Sequence, residues 1–397
     1  MVIEKSHHFH FRLFDTRELG ALSLMLAIVY FGEGLVSVFI PIYFWNLGFP
    51  IWKILGFYLL NAIYFVIFTI ALLPLIRRMS DTMMIAISMP FLISYFLLLN
   101  GIEQFTWFFW IAPAILAFHM LFLNIGYNLD FACATTKGRE GHEVGMRYLT
   151  GSLSQFLSPL FGGILIASFG FHVSFFVAVF IFFFAMIPLF FVQKRKIATH
   201  MSVIGLFHSL SSDNKYFNIS SIGYASEIMV GRVLWPIFIF LTVQSTEELG
   251  GMVSIGLLLG ALVTFFSGSL FDKKKAKILL IGSSGLYSLV WFLRMFAKGA
   301  GTIFGSHSIG NAINSGLMVA WVSEYYARAR ESENPSMFIL SREILYQITR
   351  IFFLPILMVL SLFISLEFFF PICFAIAGLM TALFAFATKV ESIKTIV

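Results

Sequence analysis

The chain has 397 residues, of which 59% are hydrophobic and only 12% charged, with a formal net charge of +6 and a mean hydropathy of +0.91. A water-soluble domain of this composition would expose far more apolar surface than soluble folds do, so a polytopic membrane protein is expected. The basic excess does not point to nucleic acid, because Lys and Arg gather in short loops between apolar runs, where they set membrane orientation. Two cysteines, Cys133 and Cys373, exclude a disulfide framework.

Residues 1–19 are polar and basic, and no cleavable leader is expected ahead of the first apolar run. His7, His8 and His10 have no second ligand cluster and read as a solvated terminus, so neither a metal site nor a cofactor is expected. Ala21 to Trp45 is the first apolar run; at about 1.5 Å per residue it reaches roughly 37 Å, enough to cross a hydrocarbon core of about 30 Å. Near its midpoint stands a carboxylate, Glu33. A charge at that depth costs about 2.5–3.5 kcal/mol, so Glu33 must face a polar interior and not lipid.

With this run as span 1 (20–45), apolar length gives eleven more: 52–76, 82–100, 105–133, 147–169, 172–192, 218–243, 249–271, 277–297, 301–325, 337–364 and 368–388. The expected fold is all-α, with twelve transmembrane helices. The longest break, 193–217, separates a six-helix unit over 1–192 from another over 218–397. It begins basic and turns amphipathic, with Ile204, Leu206, Phe207 and Leu210 among Ser, His and Lys, so it is either a tether or a short helix on the inner membrane surface. The fifty Phe are read as lipid-facing bulk.

On this map 21 of the 26 basic residues fall on one side. The positive-inside rule then makes both termini cytoplasmic and the location the plasma (inner) membrane. The two halves also repeat. Lys137-Gly-Arg139-Glu140 with Met146 and Leu149 recurs 191 positions later as Arg328-Ala-Arg330-Glu331 with Met337 and Leu340, and the same offset carries Asp81 onto Asp272. Tyr30-x-x-Glu33 with Pro41 is echoed by Tyr224-x-x-Glu227 with Pro236. Two parallel six-helix repeats in a membrane imply a transporter with its site between them.

These features resemble the major facilitator superfamily over nearly the whole chain. Gly268-x-Leu270-x-Asp272-Lys273 resembles that superfamily's loop signature; in the first-half copy Asp81 is kept, but Arg77 and Met79 replace the expected Gly and Leu. Gly145, Ser154, Ser158, Pro159, Gly162 and Gly163 in span 5 resemble its antiporter motif, which implies export, although small residues and a proline there also serve close helix packing. The resemblance implies a gate at the cytoplasmic face, with Asp81 paired to Arg139 or Arg147 and Asp272 to Arg328 or Arg330, or else loop carboxylates that are merely solvated. It further implies that spans 1, 4, 7 and 10 line a central cavity, placing Glu33, His119, Glu227 and Arg232 there.

Tyr30, Tyr224, Asn124, Asn128, Asn311, Asn314 and Arg350 complete the candidate set for substrate binding or proton coupling. Several pairings stay open. Glu33 is either a coupling group or half of a salt bridge to Arg232 or Arg350, and Arg350 is either a substrate ligand or the partner of Glu343 seven residues earlier. Glu227 and Arg232, five apart, lie about 140° apart round a helix and each needs another partner. His119 reads as a hydrogen-bonded interior residue ahead of a proton carrier, and Arg294 is expected to snorkel from the outer end of span 9. No Walker A sequence, nucleophile elbow or extramembrane segment of domain size is present, so an enzyme is not expected. A single pseudo-twofold chain likewise supplies no ring of filter loops for a channel. The expected function is secondary active transport of a small organic solute by alternating access, proton-coupled and leaning to efflux, by a monomer in the bilayer. An ion-independent facilitator and a non-transporting scaffold or receptor are the alternatives.

Overall fold

The computed structural model describes residues 17–134, 149–191, 202–211, 215–267 and 273–389. Helix is the only regular structure among them, in twelve membrane-crossing lengths. Spans 2, 3 and 4 are Ile51–Ile76, Asp81–Gly101 and Phe108–Ala134, and spans 8 to 11 are Thr246–Ser267, Lys273–Arg294, Ala300–Glu331 and Pro335–Phe363. Span 12 is Leu366–Ala382 closed by a 3-10 turn over Leu383–Thr388. Spans 5 and 6 share one helical stretch: residues 149–155 lead into Ser158–Ala185, which is split at Gly170, where φ of 83° turns the chain back. Only glycine takes that conformation without strain.

By length and apolarity alone nine stretches among the described residues qualify as spans, because spans 5 and 6 count as one and spans 9 and 10 fall short. Span 9 opens on Lys273, Lys274, Lys275 and Lys277, and span 10 carries Ser306, His307, Ser308, Asn311, Asn314 and Ser315. Their polarity has a structural use, since span 10 faces the interior of the protein.

Spans 1 and 7 are broken at corresponding depth. The helix Arg17–Gly34 ends one residue after Glu33; a 3-10 turn, Ser37–Phe39, follows, and the helix resumes as Ile40–Asn46 with Pro41 in its first turn. In span 7 the helix Lys215–Met229 widens into a π turn over Val230–Leu234 before Trp235–Val243, with Pro236 in its first turn. Proline has no N–H to give the preceding turn and its ring crowds that turn's carbonyl, so each helix must restart there. Discontinuous helices at mid-membrane are where transporters place their sites.

The spans form two six-helix bundles that meet along spans 2 and 11 and along spans 5 and 8. Glycine sets the second contact. A Cβ on Gly163 would stand 2.3 Å from the Thr246 carbonyl oxygen, and one on Gly250 would stand 2.2 Å from that of Pro159. Where Pro159 breaks the helix, the Leu160 N–H donates across to Ser254 Oγ at 3.0 Å, and Thr246 Oγ1 donates to the Gly163 carbonyl at 3.1 Å. On its other side span 5 meets span 1: a Cβ on Gly162 would lie 1.9 Å from the Leu35 carbonyl, and one on Gly34 would lie 2.0 Å from Ser158 Oγ. Ser158 and Ser154 satisfy their hydroxyls within span 5, on Gln155 and Thr150 carbonyls.

Two expectations change here. Many of the phenylalanines are not lipid bulk: Phe44, Phe57 and Phe109 pack with centroids 4.8–5.8 Å apart in the first bundle, and Phe238 and Phe374 pack against each other and Trp235 in the second. A ring buries large apolar area at little entropic cost, which suits a bundle interior as well as a lipid face. The segment between the halves holds a helix, Val203–Ser211, and this helix docks on span 11. Leu206 is buried, Ser209 Oγ meets Ser341 Oγ at 3.1 Å, and the fully buried Arg342 donates to the Ser209 carbonyl at 3.4 Å.

Gly163→Leu is predicted to wedge spans 5 and 8 apart, at a cost of about 1–3 kcal/mol from overpacking that leucine's better helix propensity, roughly 0.8–1 kcal/mol, offsets only in part. Thermal unfolding followed by size-exclusion chromatography should show a drop of several degrees, while Gly285→Leu, where an added Cβ meets nothing within 4 Å, should hold the midpoint or raise it through the same gain in helix propensity. Equal midpoints for the two variants would contradict this account of the interface.

Candidate functional site

Between the bundles lies a cavity of about 670 Å³ walled by both, within the range of small-molecule sites. The face at which span 1 begins and span 12 ends is called here the terminal face, and the opposite one the far face. Asn124 and Asn128, one turn apart on span 4, close the cavity toward the terminal face. Their amide nitrogens donate to the two carboxylate oxygens of Glu343 on span 11, at 3.0 and 3.5 Å. The Tyr326 hydroxyl on span 10 donates to Asn128 Oδ1 at 2.7 Å. One amide thus serves both second-bundle helices, and its orientation is fixed by being donor to one and acceptor from the other. Toward the far face the half-helices Ile40–Asn46 and Trp235–Val243 pack together.

Glu33 lies in the cavity wall, and among the described residues its carboxylate makes no hydrogen bond or ion pair. Arg232, on the π turn of span 7, is exposed within the same cavity and is likewise unpaired. The two act on each other electrostatically without being in contact. A direct salt bridge from Glu33 to Arg232 or Arg350 is therefore not formed. Arg350 is 8% exposed and lines the wall; its Nη1 donates to Gln347 Oε1 at 3.1 Å and its Nε has no partner. Arg350 thus bonds Gln347, one turn back, because Glu343 is held by the span 4 asparagines.

His119 is buried in the wall with Nδ1 2.9 Å from the Ser88 carbonyl, so Nδ1 carries the proton and Nε2 is the acceptor. Tyr30, Tyr224 and Asn311 also line the cavity. Asn314 is not in the wall, and its side-chain oxygen is buried without a partner.

Glu227, expected beside Glu33, turns instead to span 9. It accepts from Tyr287 Oη at 2.9 Å and from Trp291 Nε1 at 3.2 Å. Arg294 does not snorkel: it is 3% exposed, with its guanidinium 4.2 Å from the ring centroids of both Trp235 and Trp291. Two indole faces and the nearby Glu227 stabilise that charge in place of water. Trp235 donates through Nε1 to His307 Nδ1 at 2.9 Å, and the Asn311 amide lies 2.8 Å from Nε2. With Nδ1 occupied as acceptor, the ring's proton sits on Nε2 and Asn311 presents its oxygen. Trp235, His307 and Gln347 are wall residues absent from the sequence expectation; the i, i+4 spacing of His307 and Asn311 in a membrane span was the signal available for one of them.

Of the expected gate, Arg139, Arg147, Gly268 and Asp272 lie outside the described residues, as does Gly145 of the span 5 motif. Asp81 is 2% exposed in the first turn of span 3, just after the capping residue Ser80, with Oδ1 accepting from Thr82 N at 2.7 Å and Oδ2 unpartnered. Arg328 is held within its own bundle by Glu324 at 2.6 Å and the Ala387 carbonyl at 3.1 Å; Arg330 closes the same helix, in the last turn of span 10.

No family model and no curated protein matches the sequence. Solved structures do match the fold. The human organic anion transporter MFSD10 superposes with a TM-score of 0.70 at 10% identity, covering 94% of this chain and 99% of that one. The E. coli fucose:proton symporter FucP gives 0.67 at 12% identity, over 93% and 97%. The nucleoside transporter NupG gives 0.64 at 14%, over 94% and 98%. The chain has the fold of the major facilitator superfamily transporters.

Asn128→Leu removes both the acceptor for Tyr326 and one donor to Glu343, and is predicted to loosen the terminal face. Hydrogen–deuterium exchange at the terminal-face ends of spans 4, 10 and 11 should rise by about tenfold, as expected for the loss of one to two kcal/mol of buried hydrogen bonding. Unchanged protection at those ends would contradict the assignment.

Proposed function

We propose that this protein is a secondary transporter of a small organic solute, working by alternating access with a proton as coupling ion. The observation that carries the reading is the unpaired Glu33 at the break of span 1, in a cavity walled by both bundles and facing the unpaired Arg232 at the break of span 7. A carboxyl that no fixed partner claims is free to load a proton when water reaches it and to release one when its surroundings change. The hydrogen-bonded terminal face and the packed half-helices of spans 1 and 7 are the two closures that would alternate. The fucose:proton symporter among the similar structures is a proton-coupled example of the fold.

From the 21 basic residues that the sequence gathers on one side we infer that both termini are cytoplasmic and that the protein lies in the plasma membrane. The two bundles, 1–192 and 218–397, rock as units joined by 193–217. Of the described motif residues in span 5, Gly162 and Gly163 stand against the backbone of spans 1 and 8, and Ser154 and Ser158 bond carbonyls of their own span, so close packing accounts for them without a direction of transport.

Glu33→Gln keeps volume and hydrogen bonding while removing the titratable proton. In proteoliposomes, gradient-driven uptake is predicted to fall on the order of tenfold or more, while exchange at equal pH changes by less than about twofold. Because Glu33 supports no ion pair, the thermal midpoint should hold. Driven uptake at the wild-type rate would rule out Glu33 as the coupling group.

A further inference from the structure

The cavity gathers two arginines on the second bundle, and among the described residues neither touches a carboxylate. Arg232 has no partner, Arg350 is nine-tenths buried with its Nε unpaired, and the two guanidiniums repel each other electrostatically. The acid nearest Arg350 in sequence, Glu343, already accepts from Asn124 and Asn128. Two guanidiniums in one cavity wall, neither in contact with a carboxylate among the described residues, can share an anion, and guanidinium is the side chain best shaped to bind carboxylate oxygens in pairs. The same wall is aromatic. Tyr224 stacks on Trp321 at 4.7 Å and meets Tyr346 edge-on at 5.3 Å, and Tyr224 lies within the field of both guanidiniums.

We infer that Arg232 and Arg350 form an anion subsite for an aromatic or amphipathic carboxylic acid, and that anion and proton bind together. The linkage follows from Glu33. When ionised, it offsets the positive potential an incoming carboxylate needs; when protonated, it leaves both guanidiniums to the ligand. The other groups facing it do not replace it: Tyr58 on span 2 and Tyr95 on span 3 bring no carboxylate, His119 on span 4 is bonded to the Ser88 carbonyl, Glu343 on span 11 is held by the span 4 asparagines, and the described residues of spans 5 and 6 present Gln155 and Pro159 to the cavity. Anion binding therefore favours the protonated Glu33 and proton binding favours the anion, which makes their movement symport. The inference deepens the transport reading and depends on it only for movement across the membrane.

Binding in detergent tests it apart from transport. Purified protein is titrated with benzoate and 1-naphthaleneacetate, and with benzylamine and benzyl alcohol as cationic and neutral counterparts, following fluorescence of the wall residues Trp235 and Trp321. The two acids should bind and the counterparts should not. Arg350→Gln and Arg232→Gln should each weaken the acids by about tenfold or more, with Arg350→Lys intermediate, which separates a lost charge from a collapsed wall. In weakly buffered solution near neutral pH, a pH dye should report proton uptake as acid binds to the wild type and none with Glu33→Gln. Failure of both acids to bind, tighter binding of benzylamine, or acid binding without proton uptake would each overturn the inference. If acids bind with proton uptake yet vesicles made from the same protein accumulate neither, the subsite stands and the transport reading fails.

Discussion

The cost of holding charge at bilayer depth governs how the ionisable side chains within the described spans are placed. Two solutions appear. Glu227, Arg294 and Glu343 are closed off: the first accepts from Tyr287 and Trp291, the second lies between two indoles, and the third is gripped by two asparagines. Glu33 and Arg232 take the other course and stand unpaired in a cavity. A charge that costs several kcal/mol to bury and has no fixed partner is retained for something that comes and goes. Glu227 and Arg294 tie span 9 to span 7 within the second bundle and Glu343 ties span 11 to span 4 of the first, whereas the open charges give the cavity its chemistry.

Backbone architecture places the open pair. Pro41 and Pro236 force restarts in spans 1 and 7, so that Glu33 ends one half-helix and Arg232 sits on a widened turn of the other. The break in span 1 needs a neighbour that can come within backbone contact, and Gly162 supplies it against Leu35. Gly163 and Gly250 then bring span 5 equally close to span 8. A contact made by backbone and glycine brings spans 5 and 8 together with no long interdigitated side chains between them.

Much of this was legible in the sequence, because it depends on length, charge and periodic repetition. Twelve spans follow from apolar runs, whereas the first-half loop residues that set the register of 191 lie outside the described residues. Sequence also identified Glu33, Arg232, His119, Asn124 and Asn128 as polar residues at membrane depth, all of which line the cavity. Orientation was not legible. Glu227 matches Glu33 in its half, yet a π turn begins three residues after it, and the indole and phenol of span 9 hold it off the cavity. No hydrophobic pattern signals such a turn. Arg294 near a span end resembled a snorkelling residue because Trp235, which encloses it together with Trp291 of its own helix, comes from span 7. The role of phenylalanine was missed for a related reason, since composition does not distinguish a ring in a bundle core from one facing lipid.

The central claim is that the two bundles move about this cavity so that one face opens as the other closes. Electron–electron distance measurements in lipid nanodiscs test it most directly, with one spin-label pair at Arg78 and Glu333 across the terminal face and another at Gln104 and Lys298 across the far face, all four being exposed. As pH is changed, the account predicts that one pair lengthens while the other shortens. Distances that stay fixed, or that lengthen together on both faces, would contradict it.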